Sequence, residues 1–248
     1  MKAYLFVFSS LMALGPLFAQ DGVSPDRPGF GNGTSIVTGL QLEAGYEYSK
    51  VEKTKTNVFG LVTLRIPYKS WIEFRVGGSS FASQSGSGSS VSEFQDLSLG
   101  SKLLLLKGSD HFELTNPRVT LIVESTVPTG GNNFGSDQAQ PGTSISAGWP
   151  LNEKWSANVN LFYLSAYDGS RSNDFSGVVS LGYVLGTRLS TYFETYALYP
   201  ESGGSRQYIG HGWAYLPNPS LQIDFNGGVG LNGDSPDFFA GLGVACRF

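Results

Sequence analysis

The last twelve residues, Asp237-Phe-Phe-Ala-Gly-Leu-Gly-Val-Ala-Cys-Arg-Phe248, constrain the fold more than any other stretch. In an extended strand, Phe238, Ala240, Leu242, Val244, Cys246 and Phe248 share one face, and Gly241, Gly243, Ala245 and Arg247 share the other. One face is apolar throughout, the other is small or polar, and the strand stops on an aromatic. A water-soluble sheet covers its apolar face with a second layer. A membrane barrel leaves that face against lipid and turns small and polar residues toward its lumen.

The same alternation recurs along the chain. Leu40, Leu42, Ala44, Tyr46 and Tyr48 oppose Gln41, Glu43, Gly45, Glu47 and Ser49 in a strand over about 39–49. A returning strand sets Val58, Val62, Leu64 and Ile66 against Asn57, Thr63 and Arg65, and Pro67 to Ser70 reads as a tight turn. Ile72, Phe74 and Val76 then oppose Glu73 and Arg75, before a Ser/Gly run at 79–92 that reads as a mobile loop. Further strands set apolar faces against Asp96 and Lys102, against Arg118 and Glu124, and against Ser156, Asn158 and Asn160. Trp149 and Trp155 flank one turn, as aromatics at a membrane boundary do. Later strands place Tyr192, Glu194 and Tyr196 on one face, then Asp224 against Leu221, Ile223 and Phe225. The facing of 207–216 stays open, with Ile209, His211, Trp213 and Tyr215 on one side and glycines and alanine on the other.

These segments make an all-β, antiparallel transmembrane β-barrel of about twelve strands over 38–248, an even number as bacterial barrels have. The charges Glu43, Glu47, Arg65, Glu73, Arg75, Asp96, Lys102, Arg118, Glu124, Glu194, Asp224 and Arg247 all fall on faces that the apolar residues mark as luminal. An Arg or Lys facing the lipid midplane costs about 2–4 kcal/mol, which accounts for the segregation. Barrels of about eight strands fill with side chains and those of about sixteen hold a water channel, so twelve leaves open whether these charges line a pore or form a lattice that fills it. Inward Tyr192 and Tyr196, with Phe162 and Phe239, suggest a constricted, partly aromatic lumen.

Residues 1–19 carry one cation, Lys2, then an apolar run and Gly15-Pro-Leu-Phe-Ala19, which reads as a signal peptide cleaved near Ala19. The expected destination is the Gram-negative outer membrane. Residues 20–37, rich in Gly, Pro and Ser, are an irregular periplasmic lead-in to the barrel mouth, with Arg27 toward the lumen. Charged residues are 15% of the chain against roughly 25% in soluble proteins, while mean hydropathy is only −0.07, because a period of two averages out. The net charge of −4, which becomes −5 without Lys2, argues against a nucleic-acid partner. Cys246 is the sole cysteine and has no internal disulfide partner.

Candidate chemistry is sparse. Gly228-Val-Gly-Leu-Asn-Gly233 matches a dinucleotide fingerprint but opens no helix, so no cofactor is expected. No spacing of His, Cys, Asp or Glu suggests a metal, and no catalytic residues are assigned. A lipid-acting enzymatic barrel would need a Ser–His pair, and His111 and His211 read as a turn and a wall residue.

Asp26-Arg-Pro28, Leu40-Gln-Leu-Glu-Ala-Gly-Tyr46, Asp96-Leu-Ser-Leu-Gly100, Pro128-Thr-Gly130, and Leu221-Gln-Ile-Asp224 through Gly-Leu-Asn232 to Arg247-Phe248 together resemble the outer-membrane transporter family associated with the meta-pathway of phenol degradation. The resemblance covers nearly all of the chain after the leader, and Gly29 departs from the acidic residue common there. It implies a barrel that transports small solutes, aromatic or apolar compounds among them. The expected partners are outer-membrane lipid, a small-molecule solute and the barrel-assembly machinery, which reads a terminal aromatic such as Phe248. The barrel is expected to be a monomer and not an enzyme. A non-conducting structural or adhesive barrel is the alternative, and a lipid-acting enzyme a further one.

Overall fold

The computed structural model describes residues 22–78, 80–86 and 88–248. The expected signal peptide lies outside the described residues. Among the described residues there are fourteen strands: β1 (Gln41–Val51), β2 (Thr54–Lys69), β3 (Ile72–Gly77), β4 (Phe81–Gly86), β5 (Ser89–Phe94), β6 (Leu97–Leu106), β7 (Arg118–Val127), β8 (Pro141–Pro150), β9 (Trp155–Tyr167), β10 (Arg171–Val184), β11 (Leu189–Tyr199), β12 (Arg206–Asn218), β13 (Leu221–Gly230) and β14 (Phe238–Arg247). All pairings are antiparallel, and β1 pairs with both β2 and β14, so the sheet closes on itself. The wall has twelve members, because β4 continues the line of β3 and β5 that of β6: β2 pairs with β3 through Thr63 and Gly77 and with β4 through Phe59 and Phe81.

A kink produces those breaks. In β2, Gly60 and Leu61 take positive φ values of 97° and 37°, and the register against β1 shifts between Glu43 and Gly45. This bulge puts one extra residue in β2 and reverses which residues face inward beyond it. The sequence reading of the upper part of β2 is therefore corrected: Val58 is buried inside, and Phe59 faces out at 47% exposure. The Ser/Gly run read as a loop at 79–92 is also corrected, since Phe81–Gly86 and Ser89–Phe94 form a hairpin that extends the wall. Neither segment has the apolar alternation of a lipid-facing strand. Likewise, β2 passes through Pro67 to Lys69, with a register irregularity at the proline.

The outer surface is apolar at mid-height, where Leu99, Val123, Leu161, Val179, Phe225 and Leu242 are exposed. Tyr68, Trp71, Trp155 and Tyr215 ring the end where β1 starts and β14 finishes; Phe81, Phe94, Phe175, Tyr199 and Phe238 ring the other. Two aromatic girdles around an apolar band are what a bilayer-spanning barrel requires. In β12 the open question closes: Ile209, Trp213 and Tyr215 are exposed with His211 on the outer face, and Tyr208, Gly210, Gly212 and Ala214 are buried inside. Leu161→Arg, in the middle of β9, is expected to cost about 2–4 kcal/mol in urea unfolding from lipid vesicles. Unchanged stability would mean that this face does not meet lipid.

Candidate functional site

The lumen contains residues 22–40, which form no strand and no helix. The segment enters beside the turn between β12 and β13, where Val23 N–H donates to Pro219 O at 2.7 Å. It climbs to Phe30 and returns to the start of β1. A buried segment without secondary structure must find other partners for its backbone, and here the wall side chains supply them. Glu43 accepts the Asp26 N–H at 3.2 Å on either oxygen, Glu194 accepts the Phe30 N–H at 3.0 and 3.2 Å, Asn160 Oδ1 accepts the Asn32 N–H at 2.8 Å, and Glu73 Oε2 accepts the Val37 N–H at 2.8 Å. In the other sense, Arg65 donates to the carbonyls of Ser24 and Ser35, Arg118 to that of Thr34, Asn158 to that of Asn32 and Gln222 to that of Arg27.

An ion lattice locks this stopper. Arg65, fully buried, meets Glu73 at 2.6 Å, Glu43 at 3.2 Å and Asp26 at 3.6 Å; Lys102 meets Asp26 at 2.8 Å; Arg75 pairs with Asp26 and, at 3.3 Å, with Glu73. Three cations thus face three carboxylates, and five of the six side chains come from β1, β2, β3 and β6. The sixth, Asp26, comes from the stopper and touches all three cations. The stopper also supplies a cation: Arg27 Nε lies 3.3 Å from Asp224 on β13, and Nη2 donates to Leu242 O. Its guanidinium lies over Gly45 and Gly243, which face each other across β1 and β14; a Cβ on either would fall about 2 Å from it. These two glycines make the socket for Arg27. Gly29, at φ 115°, passes so close to Glu194 and Tyr192 that a Cβ there would lie 2.8 Å from the carboxylate. An acidic side chain at position 29 would face Glu194 directly.

Above the lattice the inward surface becomes aromatic. Phe30 stacks on Tyr196 at 4.7 Å and packs against Phe239 at 5.0 Å and Tyr208 at 5.6 Å. Gly228 lies beneath the Phe239 ring and Gly212 beneath that of Tyr192, so glycines on the inner face make room for rings from the adjacent strand. The loop from 128 to 140 closes the opposite mouth: its Phe134 packs on Val58, Leu61 and Ala82.

Among the charges read as luminal, Arg27, Glu43, Arg65, Glu73, Arg75, Lys102, Glu194 and Asp224 converge on the stopper. Arg118 reaches it from the start of β7, and Arg247 reaches Thr38 at the rim. Glu47 and Glu124 turn inward on β1 and β7, Glu47 within electrostatic reach of Arg27 and Glu124 of Arg75. Asp96 does something else: at the kink between β5 and β6 it accepts the N–H groups of Thr129, Gly130 and Ser136 and so organises the 128–140 loop. Phe248 is exposed, its N–H bonded to Leu40 O. The sequence reading did not single out the amides Gln41, Asn158, Asn160 and Gln222, which complete the stopper's hydrogen bonding. The available signal was their place on inward faces already marked by charge.

His111 is exposed in the connection between β6 and β7, 3.7 Å from Glu113. His211 stacks on Phe193 and lies 2.7 Å from the hydroxyl of Thr191, a partner from the adjacent strand that the sequence spacing hides. That hydroxyl also donates to Gly212 O at 2.8 Å. Among the described residues no group of His, Cys, Asp and Glu is placed to hold a metal.

The fold and its stoppered lumen define a twelve-stranded antiparallel barrel of the outer-membrane type. Residues 25–248 match the family model described as "Putative MetA-pathway of phenol degradation", and the chain belongs to that family. Among solved structures it is similar to an outer-membrane channel from Pseudomonas putida F1, with a TM-score of 0.71 and 16% identity over 86% of this chain and 97% of that one. It is also similar to the NanC porin, with a TM-score of 0.53 and 12% identity over 84% and 100% of the two chains. The translocator domain of the autotransporter NalP from Neisseria meningitidis gives 0.51 and 11% identity over 85% and 89%. No curated protein matches the sequence.

Proposed function

We propose that this chain is an outer-membrane channel for small solutes, aromatic and apolar compounds among them, and that residues 22–40 restrict its lumen. One observation carries the reading. The lumen is filled by a segment without strand or helix, attached to the wall by side-chain hydrogen bonds, and not by the wall's own packed interior. A barrel with only a mechanical role is more simply closed by side chains from its own strands. The family's description points to phenol degradation, and the P. putida relative is described as a channel. The apolar outer band and paired girdles fit residence in the outer membrane, with lipid as the partner and Phe248 as the feature read at assembly. The chain acts as a monomer and carries out no catalysis.

Liposome swelling tests this reading. The full-length protein is expected to admit small solutes slowly, and a variant lacking residues 22–38 to admit them faster and up to a larger size. No swelling from either protein would overturn transport. It would favour a structural or adhesive barrel, a reading to which the tight lattice of six buried charges also lends itself.

A further inference from the structure

Phe30 is the one ring of the aromatic cluster that the stopper supplies. Tyr196, Tyr208 and Phe239 belong to β11, β12 and β14, strands of the wall. Their contacts with Phe30 include a stacked pair at 19° and an edge-on pair at 68°, the two geometries that aromatic pairs favour. The polar surroundings of Phe30 are also those of a ligand site. Both oxygens of Glu194 accept its N–H, and the hydroxyl of Tyr192, 3% exposed, has no hydrogen-bond partner. Both groups border Gly29, the residue before the ring.

We propose that Tyr196, Tyr208 and Phe239 form a receptor for one aromatic ring, that Phe30 occupies it as a tethered surrogate while the lumen is stoppered, and that its ligands are single-ring aromatics bearing a neutral hydrogen-bond donor. This rests on the channel reading above and adds the site and the chemistry it selects. When Phe30 withdraws, Glu194 loses its backbone donor and three rings lose their packing. A phenol-like solute restores both, with its ring in the space of Phe30 and its hydroxyl toward Glu194 and Tyr192. A bare ring leaves the carboxylate without a donor, which costs affinity because buried polar groups go unpaired. A ring bearing a carboxylate in place of the hydroxyl brings acceptors and no donor to the oxygens that accept the Phe30 N–H, and is rejected. Solute and Phe30 compete for one place, so ligand binding and withdrawal of the stopper are linked, and the resting occupancy of Phe30 lowers the apparent affinity.

The test uses the full chain in lipid nanodiscs and fluorine NMR of 4-fluorophenol, fluorobenzene and 4-fluorobenzoate, with empty nanodiscs to correct for partitioning. Phe30→Ala is expected to bind 4-fluorophenol at least about tenfold more tightly than the native chain. Adding Tyr208→Ala should abolish that gain, fluorobenzene should bind more weakly than the phenol, and 4-fluorobenzoate should not compete. Heat-dependent gel mobility checks that both variants hold the barrel. The proposal is overturned if Phe30→Ala binds no better than the native chain, if the gain survives Tyr208→Ala, or if the benzoate binds as well as the phenol. Planar-bilayer conductance of the same proteins separates the two readings. Conductance without the binding gain removes only the receptor, whereas the gain without conductance in any variant removes the channel and leaves the receptor.

Discussion

Arg65→Met is expected to lower the unfolding free energy by about 3–5 kcal/mol, the cost of removing one partner from a buried ion cluster. Arg65 is fully buried, bonds Glu73 through Nε and Nη2, reaches Glu43 and Asp26, and donates to the carbonyls of Ser24 and Ser35. The methionine fills much of the space but leaves Glu43 and Glu73 short of donors inside the wall. The loss should appear in urea unfolding from lipid vesicles. Arg118→Met, which gives up one hydrogen bond from a half-buried position, should cost clearly less. Equal effects of the two substitutions would mean that the lattice is not what anchors this part of the lumen.

Gly243→Val should act on the stopper and spare the wall. A Cβ at this position would lie 2.0 Å from Arg27 Nε, while valine itself suits a strand. Overpacking a close contact costs about 1–3 kcal/mol, which corresponds to a roughly 5- to 150-fold shift toward the withdrawn state. The readout is maleimide labelling of a cysteine placed by Ser24→Cys in a Cys246→Ala background. Labelling should accelerate within that range, and ion conductance should rise with it. With Arg27→Ala already present, Gly243→Val should add little, because the clash it exploits is gone. If labelling is unchanged by Gly243→Val alone, the glycine pair is not a socket for Arg27.

The wall was legible because lipid punishes a misplaced charge on every strand, so the period of two survives from Leu40 to Phe248. Where that penalty lapses, the reading lapses too. The β4–β5 hairpin extends the wall with Ser, Gly and Gln and carries no apolar stripe, so it looked like a loop. The β2 bulge shifts the phase by a residue, and the positive φ at Gly60 and Leu61 and the register against β1 show where. For the lumen, alternation along each strand tells which charges point inward but not which partners they meet. Arg65 with Glu73 and Arg27 with Asp224 are long-range meetings that depend on the stopper's path, and Gly, Pro and Ser between 20 and 37 declare the absence of regular structure without saying where the chain goes. Asp96 shows the limit most clearly: it alternates like a luminal residue yet ends as an anchor for the loop from 128 to 140.

Backbone hydrogen exchange at Asp26, Phe30, Asn32 and Val37 addresses the central claim most directly. These amides belong to no strand, and each donates to a wall side chain: Glu43, Glu194, Asn160 and Glu73 respectively. A segment held inside the closed barrel should exchange on the slow timescale of the strands around it. Exchange as fast as that of the exposed connection at 201–204 would contradict it, since the segment would then spend its time in water with the lumen open.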